Sequence, residues 1–479
     1  MRPFMIAVLL AWPVLASAQK STLSHTDSTL VGRILLAEDR RDSTDRVLGE
    51  GAASSDPRIR ILAQTARGRI TDSLFKTRDS LPALPAPPVW PEPAWRLRYR
   101  ALAAHRNDCA ALLAALADSA WQVRLRAADL VPASCAGDDS LAAQFRSWID
   151  ALPPDASRRA PGDVSWHAAA HGIVALARLR PMDAHLRLDR LAKHRQWEVR
   201  MYAARASEVL ADTGRLMELA YDADDNVKEA AIEALSRLAG HAGDDASLEA
   251  LGARGAQAVR AAAMALKGSP RPDVPAATRS AFDQWVAADN APARDARLAL
   301  LDAAGRPASD DRPPLPSHDL PPRAVALALG AEVCLRVVMA PASGGGSFLV
   351  RLRGNVAPVM AARILDLARA RYYDGLTWHR VEADFVIQGG SPGNNEYVGY
   401  PRYLRDELGT VPHLRGTVGM STRGHDSGDA QWFVNLRDNL WLGPDYTVFG
   451  EVVEGIDVVD GVLEGDAMAT IREASCRPR

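Results

Sequence analysis

A small cassette recurs along the chain between about residue 20 and residue 305: an apolar residue, then Arg or Lys, two more residues, then Ala. Copies are Ile59-Arg60-Ile-Leu-Ala63, Leu97-Arg98-Tyr-Arg-Ala101, Val123-Arg124-Leu-Arg-Ala127, Val199-Arg200-Met-Tyr-Ala203, Val227-Lys228-Glu-Ala-Ala231 and Val259-Arg260-Ala-Ala-Ala263. A degenerate copy, Trp166-His-Ala-Ala-Ala170, falls in the gap between 123 and 199, and Ala293-Arg294 stands where a last, incomplete copy is due. Some neighbours lie about thirty residues apart, the length of one helical hairpin. Apolar residues recur at three and four spacings, and Ala is abundant, so the cassettes sit in helices. One hairpin cannot bury its own apolar face, so hairpins of this kind stack into a solenoid. The small Ala lets helices approach closely. The cation near each helix start is expected to pair with acids of the preceding turn, as in Asp222-Ala-Asp-Asp-Asn226. The bland alternative is an irregular helical bundle with chance repeats. Proline-rich interruptions at residues 81–93 and 152–162 read as loops between repeats, and the first could set apart an N-terminal helical cap.

The cassette, placed after an Asp-bearing turn, resembles the second helix of HEAT-like repeats. The pattern ends at residues 307–322, where Pro-Pro-Leu-Pro and Asp-Leu-Pro-Pro signal a semi-stiff linker. Beyond it the period becomes strand-like. Residues 332–339 and 347–353 read as a hairpin across Pro341-Ala-Ser-Gly-Gly-Gly346. Ala357-Pro358 opens a helix with buried stripe Met360, Ile364, Leu367 and Ala368. Short strands follow, then a helical piece near 454–463 carrying Ile456, Val459 and Leu463, then a last strand ending near Cys476. Many short strands with one helix early and one late suggest a closed barrel with helical covers. The division is therefore residues 1–18 leader, 19–306 all-α solenoid, 307–323 linker and 324–479 barrel domain.

The leader has the shape of a secretory signal. Arg2 gives a positive start, residues 4–15 are almost wholly apolar, and Ala16-Ser17-Ala18 is a small-x-small cleavage site. An uncleaved anchor is the alternative, but the run is short and broken by Pro13. No later run approaches the ~20 apolar residues of a membrane span. The expected destination is beyond the inner membrane, in the periplasm. A formal net charge of -2 gives no electrostatic argument for nucleic acid. The four cysteines, Cys109, Cys135, Cys334 and Cys476, lack C-x-x-C spacing, which argues against zinc and redox motifs. Export permits disulfides. Three pairings are open; Cys109–Cys135 with Cys334–Cys476 is favoured because each bridge stays within one domain, and four buried thiols is the alternative.

The chemistry is concentrated in residues 372–390. A permanent cation, Arg380, precedes Phe385 and then Gln388, on two short strands at 377–381 and 385–388. A second alternating stretch, 416–436, supplies Met420, Gln431 and Phe433. Five motifs, Tyr373-Asp-Gly-Leu-Thr-Trp-His-Arg380, Asp384-Phe-Val-Ile-Gln-Gly-Gly390, Gly416-Thr-Val-Gly-Met-Ser421, Ala430-Gln-Trp-Phe-Val434 and Trp441-Leu442 with Tyr446-Thr-Val-Phe-Gly450, resemble in order and spacing the cyclophilin-type peptidyl-prolyl cis-trans isomerases. The resemblance covers the last ~150 residues. It implies an eight-stranded antiparallel barrel capped by two helices, with a prolyl pocket on its outer face and no cofactor. It implies Arg380 as the catalytic arginine, with Phe385 and Gln388 beside it. Met420, Phe433 and Leu442 join Phe385 as an apolar floor, Gln388 and Gln431 form the polar rim, and Trp441 and Tyr446 flank the mouth.

Three positions depart from the commonest family pattern. Ser421-Thr422 stands where Ala-Asn is frequent, a place that offers backbone to substrate. Tyr446 occupies a site often held by His. Glu382 and Asp384 add acid near Arg380 and would weaken its availability if they face the pocket. Strand alternation points His379 away from Arg380, so it is read as structural. His425 and Asp426 could suggest a metal pair but read as a solvated turn. The expectation is an exported isomerase acting on X-Pro bonds of protein clients, with the helical repeats as a platform for clients or an envelope partner. The competing reading is a non-catalytic binder of proline segments whose solenoid is the main functional surface.

Overall fold

The computed structural model describes residues 25–72, 87–154, 166–287, 293–311, 320 and 323–476. The stretch read as a leader lies outside the described residues, as do 312–319 and 321–322 of the linker. Helices α1 (His25–Asp39), α2 (Val47–Ala52) and α3 (Pro57–Thr71) come first, and residues 87–93 form an extended strap that leads into α4 (Ala94–Ala101). Hairpins then follow one another: α5 (Cys109–Ala115) with α6 (Trp121–Leu130), α7 (Asp139–Asp150) with α8 (Trp166–Leu179), and α9 (Pro181–Ala192) with α10 (Trp197–Val209). The series ends with α11 (Thr213–Leu219) and α12 (Asp225–Ala239), α13 (Asp244–Ala250) and α14 (Ala256–Leu266), and α15 (Val274–Ala287) and α16 (Arg294–Ala303). The second helices form a continuous row, α6 on α8 on α10 on α12 on α14 on α16. One apolar core runs through the stack from Leu102 to Leu301.

The cassettes open these second helices, in α6, α10, α12 and α14, and the degenerate copies begin α8 and α16. Asp108, Asp138 and Asp212 cap the first helices α5, α7 and α11 with their carboxylates, and Asp224 caps the cassette helix α12. The cassette alanines Ala127, Ala203, Ala231 and Ala263 are fully buried between helices. The sequence suggests that the cations pair with acids of their own preceding turn, but most do not; Lys228 with Asp225 (3.0 Å) is the copy that does. Arg200 donates to the His194 and Arg195 carbonyls of its own preceding turn (2.8 and 3.0 Å) and, in two bonds of 2.7 and 2.8 Å, to Asp222 of the next repeat. Arg98 grips Asp118 in the same two-pronged way. Each such cation therefore stitches two repeats together.

After α17 (Ala324–Ala328) the sheet begins: β1 (Cys334–Met339), β2 (Ser347–Leu352), β3 (Arg380–Val381), β4 (Val386–Gly389), β5 (Thr417–Met420), β6 (Trp432–Asn435), β7 (Val448–Glu454) and β8 (Met468–Ala474). All pairings are antiparallel, in the order β3-β4-β6-β5-β7-β2-β1-β8. The sheet curls until its ends meet, where Thr377 bridges Ala467 and Trp378 N–H donates to the Asp466 carbonyl (2.9 Å). Helix α18 (Pro358–Arg369) starts on Pro358 and buries Met360, Ile364, Leu367 and Ala368, the stripe read from sequence. Helix α19 (Ile456–Gly461) is the late cover. Disulfides join Cys109 to Cys135 and Cys334 to Cys476.

The first three helices share their core with the sheet: Val31, Ile34, Leu48 and Ile59 pack with Ala324, Leu327 and the interior of the barrel. Arg69 of α3 is buried and donates to the carbonyls of Leu408 (2.7 Å), Val356 (2.7 Å) and Glu407 (3.0 Å). The strap then crosses the barrel, with Trp90 Nε1 donating to the Val452 carbonyl (3.1 Å). Gly416, at φ +86, leaves the space that the Trp90 indole fills. The helical stack meets the barrel with its second helices. Gln122 of α6 donates to the Asp460 carbonyl (2.9 Å), His167 of α8 to the Glu464 carbonyl (2.6 Å), and Tyr202 of α10 to the Glu464 carboxylate (3.0 Å). Asn226 of α12 donates to the Gly393 carbonyl (3.2 Å), and Asp295 of α16 pairs with Arg423 (3.0 Å). The barrel is thus cradled by the row of cassette helices.

Candidate active site

Pairing register builds the site. Arg380 of β3 stands opposite Gln388 of β4, Gln388 opposite Phe433 of β6, and Phe433 opposite Gly419 of β5. These residues form one row across the outer face of the curled sheet. Period-two alternation puts Val386 on the same face as Gln388. Gly419 is required there, because a Cβ would collide with the Phe433 ring. Phe433, Val386 and Leu442 form a small apolar cluster, with Phe385 and Tyr446 packed at its edge. Tyr446 meets Phe433 edge-to-face (5.7 Å, 86°), and buried His413 stacks on the other side of Phe433 (5.7 Å, 18°).

These side chains enclose a cavity of about 110 Å³, lined by Arg380, Phe385, Val386, Gln388, Glu396, Ser421, Thr422, Arg423, Phe433, Leu442 and Tyr446. Eight of the eleven residues singled out in the sequence are in that wall. The other three are placed elsewhere. Met420 stands opposite Trp432, so its side chain enters the barrel interior and is fully buried there. Val386 takes the place on the apolar floor expected of Met420. Gln431 is buried behind the wall and donates to the Glu396 (3.1 Å) and Val398 (3.0 Å) carbonyls, while its own amide oxygen accepts from Gln388 (3.3 Å). Trp441 is 57% exposed and stacks parallel on Phe385 at the mouth (6.1 Å, 8°).

Arg380 is held on two sides. Its Nε donates to Glu382 (2.9 Å), Nη2 also reaches Glu382, and Nη1 donates to Glu396 (3.0 Å) and, at 3.5 Å, to Gln388. Burial pulls the guanidinium pKa down, but the two carboxylates outweigh it and hold the pKa above its ordinary value. A guanidinium has five N–H donors. Four are engaged among the described residues, leaving one on Nη2 for a ligand in the cavity. Of the two acids flagged in the sequence, Glu382 faces Arg380, whereas Asp384 turns away to Arg100 of α4 (2.7 Å) and Arg437 (3.2 Å).

His379 does not line the cavity. Its ring nitrogens are buried, and burial, with the Arg380 charge adding to it, pushes its pKa down to about 3. The imidazole is therefore neutral at ordinary pH. His425 pairs with Asp406 (3.0 Å) rather than acting with Asp426, whose carboxylate meets Arg41 (3.4 Å) and Arg405 (3.1 Å). Sequence reasoning missed Val386, Glu396, Arg423 and the supporting His413. Alternation from Gln388 was a usable signal for Val386. Glu396 and Arg423 come from loops, and nothing in their local pattern marks them.

The family described as cyclophilin type peptidyl-prolyl cis-trans isomerase/CLD matches residues 337–474. A peptidyl-prolyl cis-trans isomerase of Helicobacter pylori is 33% identical over 130 residues, 26% of this chain and 80% of its own. This chain belongs to the cyclophilin-type peptidyl-prolyl cis-trans isomerases. The human peptidyl-prolyl cis-trans isomerase-like 1 is 36% identical over 124 residues, covering 24% of this chain and 74% of its own. Isomerase B of Bacillus subtilis is 34% identical over 131 residues, 27% and 91% respectively. A solved cyclophilin-type isomerase from Cryptosporidium parvum aligns with 31% of this chain and 100% of its own, at 20% identity and a TM-score of 0.29. The cyclophilin domain is thus an isomerase joined to a helical stack that these likenesses do not reach.

Proposed function

We propose that this cyclophilin is an exported folding catalyst that isomerises X-Pro bonds of protein clients, with Arg380 stabilising the twisted imide. The observation that carries this is the remaining N–H of a fixed guanidinium at the edge of a small apolar cavity. An X-Pro bond isomerises over tens to hundreds of seconds unaided, because resonance stiffens the amide. In the twisted state the imide nitrogen becomes pyramidal and accepts a hydrogen bond. An always-charged guanidinium can give that bond without moving a proton. Val386, Phe433 and Leu442 hold the proline ring, Phe385 and Trp441 wall one side, and Gln388 and the Ser421-Thr422 backbone grip the peptide. Binding that is stronger to the twisted state than to either planar one lowers the barrel's barrier to turnover.

Export is supported by the positive, apolar, small-residue order of the first eighteen residues and by two disulfides, which persist in an oxidising compartment such as the periplasm. Among the described residues no helix is long and apolar enough to cross a membrane. The stack, HEAT-like in its cassettes, serves as the platform. The cradled barrel occupies the starts of its second helices, so clients or an envelope partner meet the surfaces left open around the cavity mouth.

One observation favours a second reading. Glu382 and Glu396 both draw on the Arg380 charge, which suits a binder of proline segments without useful turnover. Isomerisation of an X-Pro peptide by the full chain, with and without Arg380→Ala, separates the two. The catalyst reading expects kcat/KM to fall on the order of a hundred-fold in R380A. An unchanged rate in R380A removes the catalytic role of Arg380, and peptide binding by the native chain without acceleration establishes the binder.

A further inference from the structure

Glu382 and Glu396, the two carboxylates that fix Arg380, both stand on loops. Glu382 begins the turn between β3 and β4, and Glu396 lies in the long connection between β4 and β5. Loops are ordinarily the mobile part of a scaffold, whereas a transition-state donor has to be held in place before the reaction. Here each loop is fixed by a different part of the helical stack.

The first clamp is α4. Arg96, with no exposed surface, donates to the Ala383 carbonyl (3.0 Å), the Leu436 carbonyl (2.6 Å) and Asp460 (2.9 Å). Arg100, one turn later, holds Asp384 (2.7 Å). The residues immediately after Glu382 are therefore bolted to the stack.

The second clamp is a chain of buried amides. Asn395 donates through Nδ2 to Gln257 Oε1 of α14, Gln257 donates through Nε2 to Asn226 Oδ1 of α12, and Asn226 donates through Nδ2 to the Gly393 carbonyl (3.2 Å). Asn395 Oδ1 in turn accepts from the N–H groups of Tyr397 (2.8 Å) and Val398 (3.0 Å). The Arg260 guanidinium covers the Tyr397 ring (4.8 Å). An apolar contact could slide, but a fully satisfied buried amide chain selects one docked arrangement. Glu396 sits between Asn395 and Tyr397. Its carbonyl accepts from Gln431 (3.1 Å) and from Arg423, and its carboxylate reaches Arg380 (3.0 Å).

We propose that the helical stack is a positioning frame for Arg380, and that Glu396, held by Gln257 and Asn226, is the positioning residue through which α12 and α14 act on the reaction. This rests on the reading of Arg380 as catalytic. The stack then contributes to turnover as well as to client choice, and anything that shifts α12 against α14 changes the isomerase rate.

The test is kinetic and uses the full chain, with an X-Pro peptide as substrate and thermal melting of every variant alongside. Glu396 is partly exposed, so its variants are expected to fold. Glu396→Ala is expected to lower kcat about ten-fold while KM stays within about two-fold, Glu396→Gln to recover part of the loss through the hydrogen bond it retains, and Gln257→Leu to lower kcat about three-fold. The double variant should be no slower than Glu396→Ala alone, because both changes act through the same side chain. Unchanged or faster turnover in Glu396→Ala overturns the proposal, and so does a Gln257→Leu effect that multiplies with that of Glu396→Ala. If Gln257→Leu melts early, Asn395→Ala tests the same amide chain from the barrel side. Arg380→Ala keeps the two failures apart. A slow R380A beside normal Glu396 and Gln257 variants sinks only the positioning role, whereas a normal R380A sinks the catalytic reading beneath it.

Discussion

At the scale of residues, the row Arg380, Gln388 and Phe433 was legible through the resemblance of its motifs, and the pairing register of β3, β4 and β6 sets these residues side by side. His379 follows from strand alternation, and its burial gives a pH prediction. Its pKa lies near 3 in the folded chain against 6.5 as its ordinary value. A depressed base takes up a proton more readily when unfolded. Its contribution to stability is therefore whole above pH 6.5 and is lost as pH falls below it, by up to about 1.4 kcal/mol per pH unit. The difference in unfolding free energy between the native chain and His379→Leu, followed by urea titration from pH 7 to pH 4, should change with that sign, while the isomerase rate shows no step from His379 between pH 5 and 8. A difference that stays constant with pH contradicts the assignment. Met420 shows why other residues were not legible. It lies beside Gly419, and which of the two faces outward depends on the register of β5 against β6, where Met420 meets Trp432. A linear motif carries both residues but not that register.

At the scale of elements, the cassette predicted helix starts well, because capping and apolar spacing act within a few residues. It located α4 through Leu97-Arg98-Tyr-Arg-Ala101. It could not show that Arg96 and Arg100 leave the stack and hold the β3–β4 turn, since their partners lie hundreds of positions away in sequence. Arg96 is fully buried, and burial lowers its pKa against the opposing pull of Asp460. Such a guanidinium is stable only while all its acceptors remain. Arg96→Met would leave the Ala383 carbonyl short of a donor, although Arg415 still donates to the Leu436 carbonyl (2.9 Å) and to Asp460 (2.6 and 2.8 Å). Breaking a buried pair typically costs 3–5 kcal/mol, and with Arg415 retained the expected loss is about 3 kcal/mol. Equilibrium urea unfolding measures it. A loss within the ~0.5 kcal/mol usual for surface changes would show that α4 is not a clamp.

At the scale of the molecule, the change from helical to strand-like period showed two architectures, and the structure has both. What the sequence could not show is how they share cores. The first three helices pack into the barrel, and the stack keeps a core of its own. Apolar periodicity says that a face is buried, not which distant face covers it. The disulfides follow these cores. Cys109–Cys135 closes a short loop within the stack, with a sequence separation of 26. Cys334–Cys476 ties the beginning of β1 to the end of β8, with a separation of 142, so it encloses nearly the whole cyclophilin domain. Loop-closure entropy makes the longer link worth more, about 5 kcal/mol against about 3.5 kcal/mol. Replacing both cysteines of one bridge by serine in the full chain should therefore cost more for Cys334 and Cys476 than for Cys109 and Cys135. The first pair should unfold the barrel and abolish isomerase activity at a lower temperature, while the second should loosen the stack around α5. Thermal melting followed both by helical circular dichroism and by residual isomerase activity separates the two. Equal melting losses, or a larger loss from the Cys109 and Cys135 pair, would mean that the folded contacts at each bridge, rather than the length of chain enclosed, decide its value.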